Sequence, residues 1–194
     1  MSANFNTTVM PFNQVRIDKT FKVINGMVVD EVIKSYAIGG ATGAFFYIEP
    51  DTTYDIDIFV DFQTLEVDAP VVSALVSLEP IYEYLLEKGY RPEMEAVMIE
   101  GVAVQFLPVY NPLNEEAVEH AVEFDYEGVT VKVMRAEHLV AIMLQTGRSK
   151  DFARIARFVE SDVLDNEALL DILARHKLRQ KWNVLVSAQR RLSQ

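Results

Sequence analysis

The chain has 194 residues, half of them hydrophobic, with 8 Gly, 7 Pro, no Cys and a formal charge of −11. That composition buries the core of one domain, or of one domain plus a small appendage, and excludes disordered, collagen-like and low-complexity chains. It also excludes disulfides, thiolate metal sites and Cys nucleophiles, and no apolar run nears the ~18 residues of a membrane span.

In chain order, residues 12–34 read as a helix with Val15, Phe21, Val23, Ile24, Val28, Val29 and Ile33 apolar, interrupted near Asn25-Gly26. Tyr36-Ala37-Ile38 is a short apolar strand ending at Gly39-Gly40, and residues 41–47 suit a short helix stopped by Glu49-Pro50. Residues 54–60 set Asp55 and Asp57 against Ile56 and Ile58, the period-2 mark of a strand with distinct faces. Residues 70–88 read as a helix bent or divided at Pro80 and ended by Gly89. Residues 95–108 form a hairpin or bulged strand pair around Glu100-Gly101. Residues 110–114 read as loop, 115–122 as a helix and 129–134 as a β-branched strand. Helices follow at 136–145, 151–160, 166–175 and about 178–191. The expected class is α+β: a mixed sheet with flanking helices over residues 1–134, then a helical C-terminal lobe over 135–194.

Charge is split along the same boundary. Residues 1–146 hold 8 Lys/Arg against 23 Asp/Glu, whereas residues 147–194 hold 10 against 6. An acidic body opposes non-specific polyanion binding, because Lys and Arg at phosphates supply most of that affinity. The basic tail (Arg175, Lys177, Arg179, Lys181, Arg190 and Arg191) either solvates helices or meets the phosphates of a small ligand or RNA end. The amino-terminal residues show no basic start and apolar run of a secretory signal, so a soluble cytoplasmic protein is expected.

One stretch concentrates the chemistry. Gly39-Gly40 ends a strand and precedes a helix, where a backbone without side chains can approach phosphate oxygens. After fourteen intervening residues Asp55 and Asp57, at i and i+2, leave a strand on one face. Either part alone also fits an ordinary turn or a solvated strand face. Here the surroundings are apolar (Phe45, Phe46, Ile48, Ile56, Ile58, Phe59), so two carboxylates need compensation. Mg²⁺ or Mn²⁺, a hard cation taking oxygen ligands and substrate phosphates, supplies it.

Tyr36-Ala37-Ile38-Gly39-Gly40-Ala41 followed by Thr53-Tyr54-Asp55-Ile56-Asp57-Ile58 resembles the nucleotidyltransferase fold of the polymerase-beta-like superfamily. With Arg148-Ser149-Lys150-Asp151-Phe152-Ala153-Arg154 downstream, the layout is most similar to AbiEii-type toxin nucleotidyltransferases and uncharacterised bacterial relatives, from about Phe12 to Trp182. The resemblance implies Mg²⁺ (or Mn²⁺) on Asp55 and Asp57. It further implies an NTP as substrate, touched by Gly39, Gly40, Thr42, Thr53 and Lys150, and transfer of its nucleoside monophosphate to an acceptor hydroxyl. Superfamily members modify tRNA, antibiotics and proteins, so a tRNA or protein acceptor is left open. A cognate antitoxin partner is allowed, while membrane or sequence-specific DNA binding is not expected. Two positions depart from the pattern: Gln105 stands where a third carboxylate is expected, and Asp51 where relatives carry Arg. Gln is neutral, cannot serve as a base and holds hard cations less strongly. The alternative is therefore a catalytically degenerate module of the same fold that binds a nucleotide or a partner. A third reading takes the acids as solvated residues of an acidic interaction protein.

Other residues carry less. His120, His138 and His176 form no zinc-hydrolase motif, and His138, at a helix start, reads as a cap or surface residue. Asp61 reads as a strand end rather than a further metal ligand, and Glu95 and Glu100 as solvated acids beside a turn. Glu100 replaces the missing carboxylate only if strand register turns it inward.

Overall fold

A computed structural model describes residues 16–49, 53, 55–62 and 78–192, with side chains as far as residue 187. Asp51 and residues 12–15 and 70–77 of two expected helices lie outside the described residues. The first helix, α1 (Ile17–Val29), runs unbroken through Asn25-Gly26, and residues 30–34 are not helical. This corrects the expected interruption, and the reason is tertiary. A Cβ on Gly26 would come within 2.9 Å of the Tyr84 hydroxyl. Asn25 donates to the Thr130 carbonyl at 2.8 Å and accepts from the Tyr36 hydroxyl at 2.7 Å. Two residues that break isolated helices are here the sites where neighbours approach.

Strand β1 (Ser35–Ile38) leads into α2 (Gly40–Ala44), shorter than expected, and β2 is Asp55–Asp61. Helix α3 (Glu79–Glu87) carries Pro80 in its first turn, so this proline starts a helix instead of bending one. Strands β3 (Pro92–Glu93), β4 (Ala96–Ile99) and β5 (Val102–Pro108) follow. Glu100 and Gly101 both have positive φ (53° and 85°), the geometry of a tight hairpin turn between β4 and β5. Helix α4 (Pro112–Glu119) begins inside the segment read as loop, because Asn111 caps it by accepting from the Asn114 N–H at 2.9 Å. It also ends earlier than read, freeing Val122 for β6 (Val122–Tyr126), which pairs antiparallel with β7 (Val129–Val133). Then come α5 (Ala136–Thr146), α6 (Ser149–Glu160), α7 (Asn166–Arg175) and α8 (Arg179–Leu192). Among the described residues no helix is long and apolar enough to cross a membrane.

The seven strands form one mixed sheet in the order β3-β4-β5-β2-β1-β7-β6. Central β2 runs antiparallel to β1 and parallel to β5, with Asp55 opposite Ala103 and Asp57 opposite Gln105. Alternation sorts β2 in two. Ile56, Ile58 and Val60 join Phe21, Ile24 and Met27 of α1 and Ile81 and Leu85 of α3 in one core. Phe59, on the face of the aspartates, joins a second core with Leu139, Val140 and Leu144 of α5 and Phe158 of α6. The acids therefore lie on the face covered by the carboxyl-terminal helices.

The helices on this face are tied by one carboxylate. Glu116 of α4 accepts from His138 Nε2 at 3.0 Å, from His176 Nε2 at 2.7 Å and from Arg175. Burial alone would raise the Glu116 pKa, but the bonds from Arg175, His138 and His176 outweigh it and bring it to about 2. His138 is 2% exposed, which corrects its expected cap or surface role. Periodicity places it on α5, but only packing against α4 buries it.

Candidate active site

Asp55 and Asp57 face one cleft of about 530 Å³ together with Gly40, Thr53, Gln105, Lys150 and the further basic residues Arg148 and Arg154. Gly40 is indispensable to that geometry. Its φ of +56° is rarely adopted by L side chains, and a Cβ there would stand 1.7 Å from Asp57 Oδ2. The carboxylate thus lies directly on the backbone of the glycine turn. The Gly39 N–H donates to the Asp57 carbonyl at 2.9 Å, locking the turn to β2.

Thr53 donates its hydroxyl to Asp55 Oδ1 at 3.0 Å and so orients that carboxylate. Thr42, 2% exposed, donates to the Asp55 carbonyl at 3.0 Å. Of the expected phosphate contacts, Gly40, Thr53 and Lys150 line the cleft, whereas Gly39 and Thr42 are not among its lining residues. Their N–H and hydroxyl are spent on β2. Gln105 lines the cleft beside Asp57 through the parallel β2–β5 register. Glu100 stays at the hairpin turn, accepting from the Tyr90 hydroxyl at 2.7 Å and pairing with Lys19, so it replaces no missing carboxylate. Asp61 pairs with Lys34 at 2.9 Å.

Burial, and after it the neighbouring Asp55, pushes the Asp57 pKa up to about 6, against the opposing pull of Arg148, Lys150 and Arg154. Arg148, Lys150 and Arg154 come from the first two turns of α6 and its N-cap, with Asp151 folding back on Arg148 Nε at 2.9 Å. Arg148 and Arg154 were legible in the sequence only as part of the Arg-x-Lys-Asp segment. Their i, i+2 and i+6 spacing around Lys150 shows its meaning once α6 is set over β2. Asn114, 1% exposed and also in the cleft lining, left no sequence signal beyond its place after Asn-Pro.

The donor set fits a divalent cation. Two carboxylates share a face, no hydrogen bond to the Asp57 carboxylate occurs among the described residues, and their mutual repulsion is what a hard cation relieves. Among the described residues no group of three or more His, Asp or Glu is arranged to hold a metal, so the pair stands without a third acid. A second, smaller cleft of about 270 Å³ opens on Asp55 and Gln105 from the side of Glu93, Met94, Glu95 and Ala96.

Solved structures share this architecture. An antigenic nucleotidyltransferase-like protein from Paracoccidioides brasiliensis aligns at 16% identity and a TM-score of 0.52, over 90% of this chain and 93% of that one. ANT(2'')-Ia in complex with adenylyl-2''-tobramycin aligns at 13% identity and a TM-score of 0.50, over 86% of this chain and 99% of that one. At such identities the likeness speaks for the fold. No curated protein sequence matches the chain. The family model described as "Nucleotidyl transferase of unknown function (DUF2204)" matches residues 16–186, and with its glycine turn, strand acids and fold the chain belongs to that family.

Proposed function

We propose that the chain transfers a nucleoside monophosphate from an NTP to an acceptor hydroxyl at the Asp55–Asp57 pair. The observation that carries this reading is the meeting of two carboxylates, one with its pKa raised to about 6, with Arg148, Lys150 and Arg154 in a single cleft. Carboxylates and cations side by side suit a ligand that brings both a divalent ion and a polyphosphate. Asp55 and Asp57 would hold Mg²⁺ or Mn²⁺, which when bound offsets phosphate charge and aligns the reacting oxygens.

The chain's own groups do the rest. Thr53 keeps Asp55 oriented, and Gly40 leaves room for Asp57 beside the turn. Lys150, Arg148 and Arg154 supply positive charge for the triphosphate, including the negative charge that collects on departing pyrophosphate. The acceptor oxygen attacks the α-phosphorus, the bond to the β-phosphate bridging oxygen breaks, and the hydroxyl proton leaves to water or a carboxylate. Positioning is the main catalytic contribution.

The second cleft, sharing Asp55 and Gln105 with the first, is our assignment for the acceptor. Among the described residues Glu93, Glu95 and Asp55 line it without a Lys or Arg, so it favours a neutral or cationic hydroxyl compound over an RNA end. An AbiEii-type role in a bacterial cytoplasm, with an antitoxin partner, is supported by the Arg148-Ser149-Lys150-Asp151 motif resemblance alone. Gln105 beside Asp57 favours a second reading, a nucleotide-binding module that does not turn over.

Incubation with Mg²⁺ and each α-³²P-labelled NTP, against small hydroxyl compounds, proteins and tRNA, separates the two. Label transferred by the wild type and lost in an Asp55→Asn/Asp57→Asn double variant is expected. Label transferred equally by the double variant and the wild type refutes the first reading, and a wild type that binds no nucleotide in calorimetric titration refutes both.

A further inference from the structure

The same cleft contains a side chain that the transfer reaction does not use. Asn114, the third residue of α4, is 1% exposed, and among the described residues neither its Nδ2 nor its Oδ1 has a hydrogen-bond partner. The helix cap does not account for it, since that bond takes only the Asn114 backbone N–H. Leaving a buried amide unpaired is a standing cost to the folded chain, and Leu has similar size without that cost. The lining that includes Asn114 also contributes apolar side chains, Leu107 of β5 and Leu139, Ile142 and Met143 of α5. The same lining holds the charged groups Asp55, Asp57 and Lys150.

We propose that Asn114 reads the edge of the nucleobase and so sets which NTP the cleft accepts, an inference that rests on the nucleotide reading above. A nucleobase has flat faces that pack on Leu, Ile and Met and an edge with a donor next to an acceptor. A side-chain amide is the complement of that edge, giving one N–H and taking one in return. A lone hydroxyl satisfies one of the two amide atoms and leaves the other buried, and a ribose diol that met both would bring no preference among bases. A base edge satisfies both. The ligand thereby removes a cost that the free protein carries, and a base without the matching edge does not.

The test is calorimetric titration of the full chain with ATP, GTP, CTP and UTP in Mg²⁺, for the wild type, Asn114→Leu and Asn114→Asp. The wild type is expected to prefer one base by about tenfold or more, the scale of one bidentate edge contact. Asn114→Leu should bring the four affinities within about threefold of one another, chiefly by weakening the preferred nucleotide, and should melt no lower than the wild type without nucleotide. Asn114→Asp, of equal size but lacking the donor, should change which base is preferred, and it carries the comparison if the Leu variant does not fold. Four equal affinities in the wild type, or an unchanged ranking and spread in both variants, overturn the inference while nucleotide binding stands. A wild type that binds no nucleotide overturns the underlying reading as well.

Discussion

Replacing Asp57 by Asn should stabilise the nucleotide-free protein while removing its ligand binding. Burial and Asp55 move the Asp57 pKa from an ordinary 3.8 to about 6, so ionising it costs the folded chain more than the unfolded one. A difference of that size corresponds to about 3 kcal/mol once both states are ionised. The sign follows from proton counts. Between 3.8 and about 6 the folded state holds more protons, so stability falls as pH rises through this window and stays low above it. Asn removes the charge but keeps a polar group to be satisfied, which leaves a gain of about 2 kcal/mol at pH 8. For a chain of this size that is roughly 4–8 °C in melting temperature, and at pH 5 about a third of the gain should remain. Thermal unfolding in EDTA, followed by circular dichroism at both pH values, reads this directly. With Mg²⁺ and NTP at ~100 times the dissociation constant, the wild type should recover about 2.7 kcal/mol that the variant does not. An Asp57→Asn chain that melts at or below the wild type at pH 8 would refute the claim that this carboxylate is held at an energetic cost.

Gly40→Ala places a methyl where Asp57 Oδ2 now lies, on a backbone with φ of +56°. We expect a loss of about 2 kcal/mol in urea unfolding and at least about tenfold weaker Mg²⁺–NTP binding, and wild-type affinity would contradict the turn-on-carboxylate geometry. Glu116→Gln keeps the shape of the α4–α5–α7 tie but removes its charge, and should cost about 2 kcal/mol at pH 7 by urea denaturation. Because the Glu116 pKa is lowered from 4.5 to about 2, its contribution is complete above the ordinary value and drains away as pH falls toward 2. The gap between variant and wild type should therefore narrow with acid, and a gap that is constant from pH 7 downward would contradict this.

A site of this kind opposes its own fold. Two carboxylates on an otherwise apolar face and an amide with no partner each work against the empty protein, and the two cores on either side of the sheet supply the surplus that tolerates them. The three share one cleft with the basic residues of α6.

The amino-acid order by itself determined which residues share a face. Period 2 put Asp55 and Asp57 together, period 3.6 outlined α5, α6, α7 and α8, and Gly39-Gly40 marked the turn before α2. These are local properties of a chain whose backbone has few allowed conformations. Tertiary structure alone decided what each face meets. It set Asp57 on Gly40, Gln105 beside Asp57, α1 straight through Asn25-Gly26, and His138 and Asn114 inside the protein. Gln105 lies 48 residues beyond Asp57 in the chain, yet the two are neighbours by strand register. Register and helix docking follow from burying whole faces at once, a sum over distant residues that no local pattern contains.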